Sequence, residues 1–212
     1  MTEVPTYEIE AGFKGAVAGI DEAGRGPWAG PVVAAAVILD PATAPEGLRD
    51  SKKLSEKRRK ELAAALWTCA QIGVGIATVE EIDRINILQA SLLAMSRAAA
   101  GLPARPAVAI VDGNIKPKLR CRAYTVIGGD AKSLSIAAAS IIAKTTRDRM
   151  MSELARDYPQ YAWDKNKGYG VDEHRDALAR FGVTPHHRRS FSPIHNMLYA
   201  DSPCLPFDVN LS

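Results

Sequence analysis

The chain has 212 residues, 47% apolar and 24% charged, enough for one domain that buries roughly 70% of its unfolded surface without covalent or metal staples. Three cysteines, Cys69, Cys121 and Cys204, stand at scattered positions with no CxxC pair, which argues against a disulfide framework or a zinc site and for a reducing, cytoplasmic setting. A net charge of +3 identifies no partner; residues 32–39, the longest apolar run, fall far short of a bilayer span of about 20 residues, and the first fifteen residues hold no apolar leader segment.

In chain order, residues 16–20 read as a strand running into Asp21-Glu22 and then Ala23-Gly24-Arg25-Gly26-Pro27. Side chains on a regular strand alternate between faces. Two adjacent carboxylates therefore serve one site only if the chain leaves the pleat there, which the glycines permit. Arg25 carries a planar fork of donors suited to a phosphate. Acids for a cation beside a glycine-flanked arginine for an anion point to metal-assisted chemistry on a phosphate ester. A solvated acidic pair before an ordinary turn is the competing reading.

Residues 32–39 form a second strand, joined to the first by so short a turn that the two pair antiparallel. A loop at 41–47 leads to Asp50-Ser51-Lys52-Lys53 and to a helix with Ser55 as N-cap and Leu62 and Leu66 on its inner face. The run 51–60 sets Lys52, Lys53, Lys57, Arg58, Arg59 and Lys60 against Glu56 alone, a polyanion footprint or simply a solvated helix face. After a strand at 72–77, Thr78 and Glu81 make a capping box for a short helix. A second helix spans 86–100, with Leu88, Leu92, Met95 and Ala99 as its buried stripe and Gly101 as its stop.

Residues 107–111 are continuously apolar, as expected of a strand buried on both faces, and end at Asp112-Gly113-Asn114; taken alone, Asp112 reads more readily as an Asx turn. A fifth strand at 124–127 exits at Gly128-Gly129-Asp130. Three acids at strand exits are harder to dismiss than one. The longest helix, 132–158, is small and apolar in its first half and solvated in its second, where Asp148 is expected to pair with an arginine. The loop 166–170 presents Tyr169 for stacking or hydrogen bonding, a short helix follows at 172–181, and Thr184-Pro185 opens a basic turn, His186-His187-Arg188-Arg189. From Pro193 onward, with Pro203 and Pro206, no periodicity remains.

These pieces closely resemble the bacterial type 2 ribonucleases H, the ribonuclease HII family. The matching blocks are Gly19 to Pro27, Asp50-Ser51-Lys52-Lys53-Leu54, Asp112-Gly113-Asn114, Gly129-Asp130, residues 135–144 with Arg147-Asp148, Lys167-Gly168-Tyr169, and His187-Arg188-Arg189-Ser190-Phe191, in the family's order. One such block is weak; seven in order are specific.

The resemblance implies an α/β, RNase H-like fold: a mixed five-stranded sheet flanked by helices, with a helical C-terminal part that helps form the substrate groove. On that basis residues 1–15 are an N-terminal extension, 16–193 the catalytic domain and 194–212 a C-terminal tail. It further implies an endoribonuclease that cleaves the RNA strand of RNA/DNA hybrids and ribonucleotides embedded in duplex DNA. The family's acids map onto Asp21, Glu22, Asp112 and Asp130, as catalytic groups and metal ligands. Its ribonucleotide-sensing tripeptide maps onto Gly24, Arg25 and Gly26, and its sugar-contacting tyrosine onto Tyr169.

An all-oxygen ligand set suits Mg²⁺ or Mn²⁺ and not zinc. Two such ions support hydrolysis to a 3′-hydroxyl and a 5′-phosphate, with the 2′-hydroxyl read but not used as nucleophile. Lys52, Lys53, Arg188 and Arg189 are expected on flanking phosphates. A cytoplasmic monomer away from membranes is the expected setting. The rivals are another nuclease on the same fold, without Gly-Arg-Gly beside its first acids, and a non-catalytic nucleic-acid-binding module.

Overall fold

The computed structural model describes residues 4–199. Five strands, β1 (Val17–Ala23), β2 (Val32–Ile38), β3 (Gln71–Ala77), β4 (Val108–Asp112) and β5 (Arg122–Val126), form one sheet in the order β3-β2-β1-β4-β5. β1 runs antiparallel to β2 and parallel to β4; β3 is antiparallel to β2, and β5 parallel to β4. All five lie where the apolar runs predict. The helices are α1 (Glu8–Ala11), α2 (Glu56–Cys69), α3 (Val79–Ala100), α4 (Leu134–Asp157), α5 (Trp163–Asn166), α6 (Asp172–Phe181) and α7 (Ser192–Tyr199). α4, backed by α2, covers one face of the sheet, and α3 covers the other. Among the described residues no helix is long and apolar enough to cross a membrane.

Glycines on the strands set how closely the helices lie. A Cβ on Gly73 would sit 2.1 Å from the Ala98 carbonyl oxygen, and one on Gly75 2.1 Å from that of Ala94. The α3 backbone therefore rests directly on β3. Ala90, Ala94, Met95 and Ala98 form the inner face, while the expected stripe of Leu88, Leu92 and Ala99 is only half-buried. Leucines have no room where alanines just fit. Gly75→Ala should lower stability by about 2–3 kcal/mol, the usual cost of overpacking, as a lower urea midpoint at unchanged m-value; an unchanged midpoint would mean that the helix floats off β3.

The Thr78–Glu81 capping box is present, and the two expected helices run together as α3 across a break at Asn86 (φ 67°). There the Asn86 carboxamide oxygen accepts from the amides of Leu88 and Gln89 at 3.0 and 3.1 Å, capping the second half. α4 approaches β1 as closely as α3 approaches β3, since a Cβ on Gly19 would meet the Ser135 carbonyl carbon at 2.2 Å. Residues 135–143 of α4 are wholly buried, as expected.

Its second half is solvated as expected at Arg149, Glu153, Arg156 and Asp157, but Arg147 is 1% and Asp148 9% exposed. Asp148 pairs at 2.6 Å with Lys144, and only loosely, at 3.9 Å, with Arg59.

The first residues are built into this domain. Thr6 exchanges main-chain hydrogen bonds with Lys132 and Leu134. Buried Glu10 accepts from the Ser133 hydroxyl at 2.7 Å and the Ser135 amide at 2.9 Å, placing an anion at the positive end of α4. At the other end Ile194 is buried within α7, so a helix occupies the start of the expected tail; the remainder, with Pro203, Cys204 and Pro206, lies outside the described residues.

Candidate active site

β1 and β4 are in register with Ile20 opposite Val111. Asp21 and Asp112 therefore follow side by side on neighbouring parallel strands, which run about 4.8 Å apart. Ile20 and Val111 both pack toward α3, so by alternation the two acids face α4. The chain does not leave the pleat between Asp21 and Glu22, as the sequence suggested. β1 stays paired with β2 through Ala23 and turns away at Gly24, whose φ of +97° suits glycine. Glu22 follows at a place where β4 has already ended; its carboxylate takes the Arg25 guanidinium at 3.3 Å and stays near enough to Asp21 and Asp112 for their charges to repel.

The Asp112 carboxylate makes no local Asx turn. It accepts at 2.7 Å from the amide of Gly129, seventeen residues on, and that bond ties β4 to the short 3₁₀ turn Gly129–Ala131 carrying Asp130. Asp50, which the sequence offered only within the block Asp50-Ser51-Lys52-Lys53-Leu54, lies against Asp130. Burial raises the Asp130 pKa, and the charges of Asp50 and Asp112 and a hydrogen bond with Asp50 add to the rise. Burial likewise pushes Asp21 well above the usual carboxylate range, reinforced by Glu22, Asp112 and Asp130. Burial raises Glu22 too, with Asp112 adding and Arg25 opposing.

As they stand, no three His, Cys, Asp or Glu side chains among the described residues are gathered tightly enough to enclose an ion. What the fold assembles is a set of mutually repelling carboxyls at two strand ends and a turn, without His or Cys. That donor chemistry fits a hard divalent cation, whose charge would relieve the repulsion. A raised carboxyl pKa in the folded state means that the native protein binds more protons than the unfolded chain at intermediate pH. The metal-free fold therefore loses stability as pH rises from the unfolded-state carboxyl pKa through the raised native values. Mg²⁺ or Mn²⁺ should raise the melting temperature, and more at pH 8 than at pH 5, where protons compete. Calorimetry showing an equal rise at both would separate the cation from these acids.

On the substrate side, Arg25 and Gly26 are exposed, and the Tyr169 ring edge comes within 3.6 Å of where a Cβ on Gly26 would stand. Tyr169 itself is 46% exposed. Lys52 and Lys53 are exposed on a 3₁₀ turn whose start is held by the Asp50 carboxylate accepting from the Lys52 amide at 2.9 Å, and Lys52 acts on Asp130 through its charge. Arg189 is exposed, with its amide on Asp83.

Arg188 is placed differently from the expected phosphate contact. It is wholly buried and donates to the carbonyls of Gly24, Arg25 and Gly30 at 2.5, 2.9 and 2.9 Å. Thr184-Pro185 opens a turn as expected: residues 185–190 make a turn and a bridge to Ala29. Arg147 braces the same loop from α4, donating to the carbonyls of Ala29, Pro31 and Lys167. Burial pulls Arg147 down to about 10 and Arg188 to about 9, so both stay charged at neutral pH. Sequence reasoning missed these braces because a charged side chain reads locally as surface; the signal was the glycines at 24 and 30, the first lacking room for a Cβ beside Arg147 and the second beside Met151.

A mixed five-stranded sheet in this strand order, with acids at the ends of its parallel pair and at the following turn, defines an RNase H-like nuclease. Among solved structures the chain superimposes on the ribonuclease H2 of Pyrococcus horikoshii with a TM-score of 0.72 and 29% identity, covering 86% of this chain and 96% of that one. It also superimposes, with a TM-score of 0.69 and 28% identity, on a PCNA:RNase HII complex from Archaeoglobus fulgidus, covering 82% of this chain and 93% of that one. Ribonuclease HII of Parvibaculum lavamentivorans is 59% identical over 194 residues, 91% of this chain and 72% of the relative. That of Paramagnetospirillum magneticum is 58% identical over 195 residues, 90% and 97% respectively. The ribonuclease HII family profile matches residues 18–194. The chain belongs to the ribonuclease HII family: it is a metal-dependent endonuclease of the ribonuclease H type, a hydrolase acting on RNA/DNA hybrids.

Proposed function

We propose that the enzyme cuts the RNA strand of hybrids and also single ribonucleotides embedded in duplex DNA, leaving 3′-hydroxyl and 5′-phosphate ends. The observation that supports this best is the pairing of Asp21 with Asp112 at adjacent strand ends, beside a Gly24-Arg25-Gly26 loop that faces Tyr169. Asp21, Glu22, Asp112 and Asp130 would hold two divalent ions, Mg²⁺ or Mn²⁺. When bound, such ions supply a nucleophilic water at neutral pH and charge for the departing 3′ oxygen.

The protein's own part is recognition and placement. Arg25 holds a phosphate with its guanidinium fork, the main chain at Gly24 and Gly26 meets the 2′-hydroxyl that separates RNA from DNA, and Tyr169 lies on the sugar. Lys52, Lys53 and Arg189 bind flanking phosphates, adding affinity without sequence choice. The same reading makes the protein a monomer of the cytoplasm that needs no membrane.

The direct test is duplex DNA carrying one ribonucleotide, incubated with and without Mg²⁺ or Mn²⁺. Metal-dependent nicking at the ribonucleotide is expected; cutting of continuous hybrid alone would confine the activity. Replacing Lys52 and Lys53 together by Gln should reduce the slope of log affinity against log salt by about 1–2, read by fluorescence anisotropy. An unchanged slope would return both to solvated surface.

A further inference from the structure

Two histidines that this mechanism leaves unused, His174 and His187, are fully buried under the Tyr169 loop. Their hydrogen bonds admit one arrangement of protons. The Thr184 amide donates to His187 Nδ1 at 3.0 Å, so that nitrogen is bare. The Thr184 hydroxyl lies 2.9 Å from the same atom. His187 Nε2 therefore carries the proton and donates to His174 Nε2 at 3.0 Å. His174 Nε2 also accepts the Trp163 indole N–H at 3.2 Å. The remaining proton sits on His174 Nδ1 and is donated to the Tyr169 carbonyl at 2.9 Å. Every ring nitrogen is satisfied with both rings neutral. Burial keeps them so, lowering His174 and taking His187 down to about 3.

The two ends of this relay belong to the two sides of the substrate site. His187 bridges Ala29, flanked by bonds from the Gly30 amide to the His186 carbonyl and from the Arg188 amide to the Trp28 carbonyl. That stretch continues directly from Gly24-Arg25-Gly26. His174 ends on Tyr169. Between them Trp28 packs so closely on Gly170 that a Cβ there would lie 2.1 Å from its ring.

We infer that the His187–His174 relay is a positioning device that fixes the spacing between the Gly24–Gly26 loop and Tyr169, and thereby the fit of a ribose between them. This rests on the sugar-reading role proposed above for Tyr169.

The test uses the chemical difference between two amides. Asparagine at 174 puts an N–H where Nδ1 stands and keeps the bond to the Tyr169 carbonyl; glutamine reaches toward the Nε2 position and loses it. For cleavage at a lone ribonucleotide, His174→Gln should lower kcat/KM about tenfold, and His174→Asn should stay within about threefold of wild type, at similar melting temperatures. In a Tyr169→Ala background, His174→Gln should cost nothing further. Histidine ¹⁵N NMR on the wild type needs no variant and should show His174 as the Nδ1–H and His187 as the Nε2–H tautomer. Equal losses in the two amides tracking the melting temperature, a His174→Gln effect that persists without Tyr169, or the opposite tautomers would each overturn the inference. A wild type that fails to cut at a lone ribonucleotide would instead overturn the reading of the site, and the relay's role with it; that case is distinguishable because the parent protein fails.

Discussion

Asp112→Asn is expected to reduce hydrolysis of an RNA/DNA hybrid at saturating Mg²⁺ by about 10³-fold, some 4 kcal/mol of transition-state stabilisation, while leaving the fold in place. The two halves of this expectation have separate causes. Asparagine is nearly isosteric with aspartate and keeps an oxygen for the Gly129 amide, so the tie between β4 and the Asp130 turn survives. The substitution removes one of the charges that hold Asp21, Glu22 and Asp130 above their usual range. The metal-free variant should therefore melt no lower than wild type near neutral pH, where the repulsion is greatest. Single-turnover cleavage of an end-labelled hybrid reads the first half, and circular dichroism melting without metal reads the second. A rate near wild type would take Asp112 out of the cation's shell.

Arg188→Lys should be nearly as damaging as Arg188→Ala, with each losing about 3 kcal/mol of stability, as for a buried charged network left with orphaned partners. The guanidinium lies across four main-chain carbonyls, those of Gly24, Arg25, Gly30 and Pro31. A lysine has three donors about one point and no planar fork to span them. Two of those carbonyls belong to the Gly-Arg-Gly loop, so kcat/KM should fall beyond what partial unfolding explains. Urea denaturation and initial rates below the unfolding transition separate the two effects. A lysine variant with wild-type stability and rate would show that Arg188 is an ordinary surface cation after all.

Much of the architecture was legible because its signals are local. Four of the five strands are short runs ended by glycine or acid, the fifth by the helix cap Thr78, and Ser55, Thr78 and Gly182 mark helix ends as their chemistry predicts. The acids at three strand exits were legible for the same reason. What could not be read was anything fixed by partners remote in sequence. The inner face of α3 is chosen by glycines on β3, so the bulkier stripe lost to the alanines. The site residues Asp50 and Arg147, and the buried state of Arg188, depend on neighbours about 80 to 160 positions away. Residues before 15 gave no sign that Thr6 and Glu10 clasp the start of α4, because one carboxylate accepting an amide 125 residues on leaves no periodic trace.

The two arginines that cross-tie residues 24–31 also bear on how quickly the enzyme can interrogate DNA. A recognition loop already held by main-chain bonds from both sides loses little freedom on meeting its target. On the activity proposed above, sampling one nucleotide after another along a duplex then requires no folding step at each stop, and discrimination falls to whether a sugar fits a template that exists before contact.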